Sequence, residues 1–376
     1  MRFAELDPPY QVFVRDLLQQ FNFDPETFHL EIPAGDEMFN GVLAGYPGRP
    51  GGAFHRYFES ALRTFHVYEQ LADHLGGFGV LERVLDFGSG HARLTRPLVH
   101  RIDPRRIWVC DIYPEAVAWQ AETFGVNGLM SVTDPGRFAL RDTHSLVFVA
   151  SVFSHLPDGL FQRWLGRLYD LVAPGGLLAF SVHGATFAPE GQAIADTGIG
   201  YARHSESATL DPDIYGMSYV TPEYVAAAIA TACGPGAQAK AFPRALFESQ
   251  DLYVVGKGAD IASLVIRATP LGGFANARPK PVWKGWGLDP NPDSQIVRAD
   301  FYVGDRCVAS MTPTADNTEV MRYFPGAPNV AVRWAFDDPG VAPNTPLRVE
   351  LVSSAGVVGH CYAMVPADAP ETVARP

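Results

Sequence analysis

Two acidic side chains flank a pair of glycines near residue 90. Asp86 lies near the end of a short apolar segment, and Gly88 and Gly90 follow it. Asp111 ends the next apolar segment. Glycine lacks Cβ, so the backbone at this turn can adopt positive φ and approach a bound molecule closely. A carboxylate before the glycines would repel the pyrophosphate that a dinucleotide site places here, so the pattern indicates a positively charged ligand. Asp111 is placed to bind the hydroxyls of a ribose.

Two histidines follow later apolar segments of the same region. His155 comes after the fourth predicted strand and His183 after the fifth. The carboxyl ends of parallel strands share one edge of a sheet, so both histidines are expected on the ligand side. A neutral imidazole is a suitable general base near neutral pH, and either histidine is a candidate. The alternatives are that His155 caps the helix near Asp158 and that His183 bonds a loop backbone.

The sequence gives less support to metal sites, disulfides, phosphate loops and nucleophile elbows. The four cysteines are widely spaced and form no CxxC pair, so the sequence predicts neither a zinc site nor structural disulfides. A GxxxxGK[ST] phosphate loop is absent, and Gly88-Ser89-Gly90 lacks the spacing of a nucleophile elbow. Asp211 and Asp213 have no clustered partners in sequence, and no metal site is predicted.

Strand and helix patterns alternate between residues 81 and 258. Short apolar segments favour strands, and stretches with capping or proline signals favour helices. Predicted strands cover 83–87, 107–111, 145–150, 177–182, 238–247 and 251–256, and predicted helices cover 91–101, 114–124, 158–171 and 221–232. Apolar strands that alternate with helices indicate a doubly wound α/β domain, with a mostly parallel sheet covered on both faces.

The regions on either side of this domain differ from it. Residues 1–80 are predicted to be mostly helical, with apolar residues of 55–75 at spacings of three and four. Residues 259–376 carry strand-like segments separated by turn signals, which is typical of an antiparallel β-sandwich. These segments are 263–268, 282–286, 295–303, 329–336 and 347–353. The domain boundaries are therefore predicted at residues 80 and 258.

The segment from about 83 to 183 resembles class I S-adenosylmethionine-dependent methyltransferases. The likeness is closest to a subgroup associated with bacterial glycan and polysaccharide modification. It is carried by Val84-Leu85-Asp86-Phe87-Gly88-Ser89-Gly90 onward, by residues 150–157 and by residues 171–184. Residues 250–254 resemble the antiparallel strand that closes this family's sheet. The resemblance implies a seven-stranded Rossmann-like sheet and S-adenosyl-L-methionine as cofactor.

The position of each residue in the family pattern implies which part of the cofactor it contacts. The residues are Asp86, Gly88 and Gly90 for the methionine part, Asp111 and Ile112 for ribose and adenine, Thr133 and Asp134 for the adenine edge, and Ser151 and Val152 for the floor. The sequence departs from the pattern at Ala92, where the fuller motif has a third glycine.

The C-terminal region resembles, more loosely, an Ig-like sandwich found in some bacterial glycan-synthesis enzymes. Its tryptophans Trp283, Trp286 and Trp334 are candidates for stacking on sugar rings. Tryptophans in sandwich strands more often fill the core, and that interpretation is favoured. Glycan recognition, dimerisation and the covering of an exposed patch all stay open as roles for this region.

The composition of the chain limits the kinds of partner that it can bind and the cell compartment that it fits. The chain has 376 residues and a formal net charge of -12, which argues against binding to a nucleic-acid backbone. No apolar run reaches the ~18 residues of a membrane span, and the N-terminus lacks the apolar core of a signal peptide. With the spaced cysteines, these features predict a cytoplasmic location. Oligomerisation stays open.

Three functions remain at this stage. The first is O-methylation of a sugar hydroxyl on a bacterial glycan or glycolipid, which rests on the resemblance alone. The others are methylation of a small natural product and a non-catalytic scaffold that binds the cofactor. The long stretch 185–217 is interpreted as an acceptor lid that includes Tyr201, His204 and Tyr215.

Overall fold

The computed structural model describes residues 1–205, 207, 209–247, 249–276, 282–337 and 340–365. Contacts divide the chain into two compact units. The first contains Met1–Glu5 and Leu18–Ile266. The second contains Leu6–Leu17 together with the chain from Arg267 onward.

The helices and strands have the following bounds. The helices are α1 Pro8–Gln20, α2 Glu37–Ala44, α3 Pro50–His74, α4 Thr95–Leu98, α5 Pro114–Phe124, α6 Asp158–Asp170, α7 Pro222–Cys233 and α8 Thr318–Met321. The strands of the first unit are β1 Val84–Phe87, β2 Ile107–Asp111, β3 Asn127–Met130, β4 His144–Val149, β5 Val172–Gly184, β6 Ile199–Ala202, β7 Met217–Val220, β8 Gln238–Leu246 and β9 Gln250–Gly256. Those of the second are β10 Leu271–Asn276, β11 Val282–Leu288, β12 Ile296–Val303, β13 Arg306–Met311, β14 Ala315–Asp316, β15 Val332–Asp337, β16 Pro346–Ser353 and β17 Val358–Met364.

The first unit is built on one mostly parallel sheet. Strands β3, β2, β1, β4 and β5 are parallel neighbours in that order, and β9 and β8 continue from β5 as antiparallel strands. This part has the seven strands that were predicted. The whole sheet has nine, however, because β6 and β7 pair with each other and β7 pairs with the end of β5. The prediction of seven strands was therefore wrong, since β6 lies inside the stretch interpreted as a lid and β7 begins at its last residue.

Alternate strand residues bury against helices on opposite faces of this sheet. Phe148 of β4 meets Tyr68 of α3, with ring centroids 5.3 Å apart. On the other face Phe87 of β1 meets Trp164 of α6 at 4.9 Å. All four rings are buried, which confirms the prediction of a sheet covered on both sides.

Two predicted elements differ from the structure. The helix expected over 91–101 is reduced to α4, because Ala92 has φ of +67° and interrupts any helix that begins earlier. The buried Arg96 donates to the carbonyl of His91 at 2.7 Å and satisfies it instead. The strand expected over 263–268 does not form; Lys240 Nζ donates to the carbonyls of Ala262 and Leu264 there.

The second unit contains two antiparallel four-stranded sheets, β10-β11-β15-β14 and β13-β12-β16-β17. Their facing side chains share a core that includes Trp334 and Phe301, with ring centroids 4.8 Å apart. Trp283 is 0% and Trp334 2% exposed. The prediction that tryptophans fill the sandwich core is confirmed for these two, and neither can stack on a sugar.

Part of helix α1 belongs to this second unit. Asp16 accepts a hydrogen bond from Tyr362 at 2.8 Å and pairs with the buried Arg348. Phe13 packs on the Tyr362 ring with centroids 5.3 Å apart. Among the described residues, no helix is both long and apolar enough to cross a membrane.

The close approach of β11 and β15 gives a test of this core. A Cβ on Gly285 would lie 1.9 Å from the Trp334 ring. We expect Gly285→Ala to lower the free energy of unfolding by about 1–3 kcal/mol through overpacking, measured by thermal and urea unfolding. Lys284→Ala, at an exposed position of the same strand, is the control and should change it by less than about 0.5 kcal/mol. Equal stability of both variants would contradict this packing.

Candidate functional site

The chain turns sharply after β1, at the carboxyl edge of the parallel strands. The amides of Gly88 and Ser89 both donate to the carbonyl of Cys110 in β2, at 2.7 and 3.1 Å. Gly88 and Gly90 have φ of +77° and +53°, which side chains with Cβ rarely adopt. The turn therefore holds the ends of β1 and β2 together and requires glycine at both positions.

Gly88 is also restricted by space. A Cβ there would lie 2.3 Å from Cγ2 of Val152, whereas a Cβ at Gly90 would meet nothing within 4 Å. Val152 follows Ser151, whose φ is +60°. The glycine turn and the loop after β4 are thus in direct contact and form two walls of one pocket.

Asp86 is a buried carboxylate with an unused oxygen. It is 4% exposed, and its Oδ2 has no hydrogen-bond partner. Burial and the nearby charge of Asp111 raise the pKa of Asp86 to about 7, and Arg93 opposes the rise. An unpaired, buried acceptor is unfavourable unless a ligand satisfies it, so Asp86 is suited to a donor or cation in the pocket.

Asp111 fixes the backbone on both sides of the turn. Its Oδ2 accepts from the Gly90 amide at 2.7 Å and its Oδ1 from the Tyr113 amide at 3.1 Å. Burial raises the pKa of Asp111, and these backbone hydrogen bonds limit the rise. The side chain therefore shapes the glycine loop itself, a role that the sequence did not predict for it.

The floor of the pocket is held by a buried polar network. The amide of Ser151 donates to Ser181 Oγ at 2.8 Å, and Ser181 donates to Gln250 Oε1 at 2.6 Å. Gln250 Nε2 donates back to Ser151 Oγ at 2.9 Å. The network keeps Ser151 in its left-handed conformation, which a non-glycine residue adopts only when its surroundings enforce it.

The structure brings most of the predicted cofactor residues to one pocket. Those that line it are Asp86, Gly88, Gly90, Asp111, Ile112, Thr133, Ser151 and Val152. Asp134 does not line it: this exposed side chain accepts from the Gly136 amide at 3.0 Å and pairs with Arg163. Their roles toward a cofactor stay predictions.

The two predicted bases lie just behind the pocket wall. His155 is 3% exposed; it stacks on the pocket-lining Tyr215, with centroids 4.6 Å apart. Its Nδ1 bonds the carbonyl of Gly216 at 2.7 Å. A carbonyl only accepts, so Nδ1 carries the proton and Nε2 the lone pair in the neutral ring.

In His183 the two ring nitrogens have the opposite roles to those in His155. Gln250 Nε2 donates to its Nε2 at 3.2 Å, while its Nδ1 is buried without a partner. Burial and the neighbouring His155 lower the pKa of His183 to about 4. The ring is therefore neutral at pH 7, with its proton on Nδ1.

Sequence reasoning missed the contribution of the N-terminal helices. Asp36, Glu37, Met38 and Tyr57 all line the pocket. Tyr57 donates to Asp36 Oδ2 at 2.6 Å, and burial raises the pKa of this phenol. The amphipathic stripe of α3 predicted a buried face, but no pattern indicated that the face ends at a ligand site.

The segment interpreted as a lid does cover the pocket in part. Its residues Ser207, Leu210, Ile214 and Tyr215 line it. Tyr201 donates instead to the Pro212 carbonyl at 2.8 Å, and His204 is exposed. Residues 206 and 208 of the segment lie outside the described part of the chain.

The pocket fits S-adenosylmethionine by two observations. The unpaired Oδ2 of Asp86 can accept a hydrogen bond from, or face the charge of, a cationic ligand. The bare backbone of Gly88 allows Val152 to close the pocket wall, and a Cβ there would lie 2.3 Å from Val152 Cγ2. Within the described residues, no three His, Cys, Asp or Glu side chains are grouped closely enough to hold a metal ion.

Comparisons with known proteins agree with this site. Residues 84–176, about a quarter of the chain, match the family model described as "Methyltransferase domain". The chain is 23% identical over 184 residues to a malonyl-[acyl-carrier protein] O-methyltransferase of Prosthecochloris aestuarii, covering 45% of this chain and 67% of that protein. It is 30% identical over 131 residues to Methyltransferase HEMK2 of Mus musculus, covering 35% of this chain and 52% of that protein.

Solved structures are similar to the chain at lower sequence identity. An S-adenosylmethionine-dependent methyltransferase from Clostridium acetobutylicum has 13% identity and a TM-score of 0.36, covering 51% of this chain and 92% of that one. The DhpI complex with S-adenosylhomocysteine has 17% identity and a TM-score of 0.38, covering 61% and 100%. Residues 84–176 are thus similar to the methyltransferase domain family, for which S-adenosylmethionine is the expected cofactor.

The glycine turn provides a direct test of cofactor binding. We expect Gly88→Ala to weaken S-adenosylmethionine binding at least about tenfold, because its Cβ meets Val152 and its φ is positive. Isothermal titration calorimetry measures the effect. Gly159→Ala is the control, since its Cβ meets nothing within 4 Å and its φ is ordinary. Unchanged affinity of Gly88→Ala would show that the cofactor binds elsewhere.

Proposed function

We propose that the protein is a cytoplasmic enzyme that transfers a methyl group from S-adenosylmethionine to a sugar hydroxyl of a bacterial glycan or glycolipid. The observation that carries the transfer activity is the buried Asp86, with one oxygen unpaired, beside a glycine turn. The acceptor class is supported by the sequence resemblance described above. The second unit is proposed to be an Ig-like domain that is not itself catalytic.

Cofactor binding is proposed to depend on charge and shape together. Asp86 faces the positive end of the cofactor, while Asp111 holds the loop that Gly88 and Gly90 form. The resemblance supports contacts of Ile112 and Thr133 with the nucleoside and of Ser151 and Val152 at the floor, whereas Asp134 does not line the pocket. When bound, S-adenosylmethionine supplies a methyl group on a cationic sulfur. The protein's task is then to align the acceptor and to exclude water.

A hydroxyl acceptor must lose its proton as it attacks, which requires a base. His155 is proposed for this role because Gly216 fixes its proton on Nδ1 and leaves the lone pair on Nε2. Tyr215 stacks over the ring, so the base can reach an acceptor only when this tyrosine moves aside. His183 is the second candidate, and its buried Nδ1–H also suits it to donate a hydrogen bond.

Two experiments test the whole proposal. Calorimetry of the full chain should show binding of S-adenosylmethionine and no comparable binding of NAD or ATP. Mass spectrometry of glycans from cells with and without the protein should show a mass difference of one methyl group on a sugar. Cofactor binding with unchanged glycans would favour a small natural product as acceptor. Absence of cofactor binding would overturn the enzyme assignment.

Asp86 makes cofactor affinity depend on pH. With a pKa of about 7, its carboxylate is about one-tenth ionised at pH 6 and about nine-tenths at pH 8. A cationic ligand prefers the ionised form, so we expect affinity to rise by up to about tenfold over this range. Calorimetry across pH 6–8 measures the slope. Asp86→Asn should remove this dependence of affinity on pH, whereas the control Asp134→Asn, at an exposed position, should keep it. An equal slope in the wild type and both variants would show that Asp86 does not cause the pH dependence.

The base is tested by steady-state kinetics. We expect His155→Ala to lower kcat about 100-fold or more with cofactor affinity nearly unchanged, because the base acts only in the chemical step. His183→Ala should lower kcat less if it positions rather than deprotonates the acceptor. Near wild-type kcat in both variants, with intact cofactor binding, would show that neither histidine is the base.

A further inference from the structure

One buried arginine connects three parts of the chain that surround the pocket. Nη1 of Arg96 donates to the carbonyl of His91 at 2.7 Å and to the hydroxyl of Tyr57 at 3.3 Å. Its Nη2 donates to the carbonyl of Glu31 at 2.7 Å. Arg96 is 1% exposed, and both His91 and Tyr57 line the pocket. A single guanidinium therefore holds the end of the glycine turn, helix α3 and the segment before α2 together.

The hydroxyl of Tyr57 joins this cation to a carboxylate. It accepts from Arg96 and donates to Asp36 Oδ2 at 2.6 Å. Asp36 Oδ1 accepts from the amide of Phe39 at 2.9 Å, so both oxygens of this carboxylate are held in place. All three side chains are buried. Arg96, Tyr57 and Asp36 thus form a chain of hydrogen bonds, here called the Arg96 relay, that ends at the pocket.

Asp36 has acceptor capacity left for a ligand. A carboxylate offers about four lone-pair positions, and the hydrogen bonds from Tyr57 and Phe39 fill one on each oxygen. Asp36 is buried and lines the pocket. A buried charge is stable only when its surroundings supply enough hydrogen bonds. The relay supplies part of them and fixes the orientation of the carboxylate, and a donor on the ligand can supply the rest.

The segment that carries Asp36 lies beside the glycine turn. A Cβ on Gly35 would lie 3.6 Å from His91 Nε2, and His91 directly follows Gly90. The resemblance described above assigns this turn to the methionine part of the cofactor. The ammonium group of that part has three N–H donors, so it can bind Asp36 in addition to Asp86.

We propose that Arg96 and Tyr57 are positioning residues that hold Asp36 at the amino-acid end of the cofactor pocket, where its carboxylate binds the ammonium group of the cofactor. The inference rests on the proposed cofactor and does not depend on the acceptor. Tyr57 keeps the carboxylate in one orientation, and Arg96 fixes Tyr57 relative to the glycine turn.

Calorimetry of the full chain with two ligands tests the Arg96 relay. S-adenosylhomocysteine carries the ammonium group, whereas 5′-methylthioadenosine has the same nucleoside and a sulfur atom without the amino-acid part. We expect Tyr57→Phe to lower the affinity for S-adenosylhomocysteine about tenfold and the affinity for 5′-methylthioadenosine by less than about twofold. An equal loss for both ligands would show a structural role only and would overturn the relay.

A double-variant cycle tests whether Tyr57 acts through Asp36. Asp36→Asn removes the negative charge and should lower the affinity for S-adenosylhomocysteine at least as much as Tyr57→Phe does. Adding Tyr57→Phe to Asp36→Asn should then lower it by less than about twofold more, because the carboxylate that Tyr57 positions is already absent. Fully additive losses would show that the two side chains act independently and would overturn the relay.

Arg96→Lys tests the contribution of the guanidinium. Lysine keeps the charge but lacks the planar fork that reaches several acceptors. We expect the affinity for S-adenosylhomocysteine to fall at least about threefold, with that for 5′-methylthioadenosine within about twofold of the wild type. An affinity of Arg96→Lys for S-adenosylhomocysteine equal to that of the wild type would exclude Arg96 from the relay.

Tyr224→Phe is the matched control for Tyr57→Phe. Its hydroxyl donates to Asp158 at 2.7 Å, which is the same chemistry outside the residues that line the pocket. We expect its affinity for both ligands to stay within about twofold of the wild type. A loss for Tyr57→Phe no larger than for this control would contradict the positioning role.

Hydrogen–deuterium exchange of the ligand-free protein separates the relay from the proposed function. The amide of Phe39 donates to Asp36, so it should exchange at least about threefold faster in Tyr57→Phe than in the wild type or in Tyr224→Phe. Unchanged exchange would overturn the relay even where the cofactor binds. Faster exchange in a protein that binds neither ligand would support the positioning of Asp36 and refute the assigned cofactor.

Discussion

The site depends on two carboxylates that are buried close together at the edge of the sheet. Burial raises the pKa of both carboxyl groups, and the charge of Asp111 adds to the rise at Asp86. Asp111 is compensated by backbone amides of the loop it holds. Asp86 keeps one oxygen without a partner, so this carboxyl group is suited to a hydrogen-bond donor or a cation in the pocket.

Much of the surrounding structure serves to keep this arrangement in place. Val152 fills the space that Gly88 leaves, and the network through Ser181 and Gln250 fixes the neighbouring Ser151. Gln250 lies on the antiparallel strand β9, so the closing strands of the sheet contribute to the pocket although they follow it by many residues. The same glutamine determines which nitrogen of His183 carries the proton.

Sequence patterns predicted those parts of the structure that are determined by residues close together in the sequence. The glycine turn was readable because its chemistry lies within residues 86–90, and the mostly parallel sheet followed from the alternation of strand and helix. The role of Glu37 and Tyr57 was not readable, since they approach the pocket only through helix packing over long sequence separation. The strands β6 and β7 were missed because each has four residues in a stretch rich in turn-forming residues. Ala92 misled the helix prediction, because its left-handed conformation follows from the loop around it and not from its own preference.

The sharing of helix α1 between the two units has a consequence for how the chain matures. Asp16 precedes its partners Arg348 and Tyr362 by 332 and 346 residues along the chain, so it leaves the ribosome well before them. Until they meet, Arg348 has only Glu350 as its carboxylate partner among the described residues, at 3.0 Å, and burying an incompletely paired charge is costly. The final assembly of the C-terminal sheets is therefore coupled to a segment made much earlier, and a sandwich produced without Leu6–Leu17 would lack this anchor.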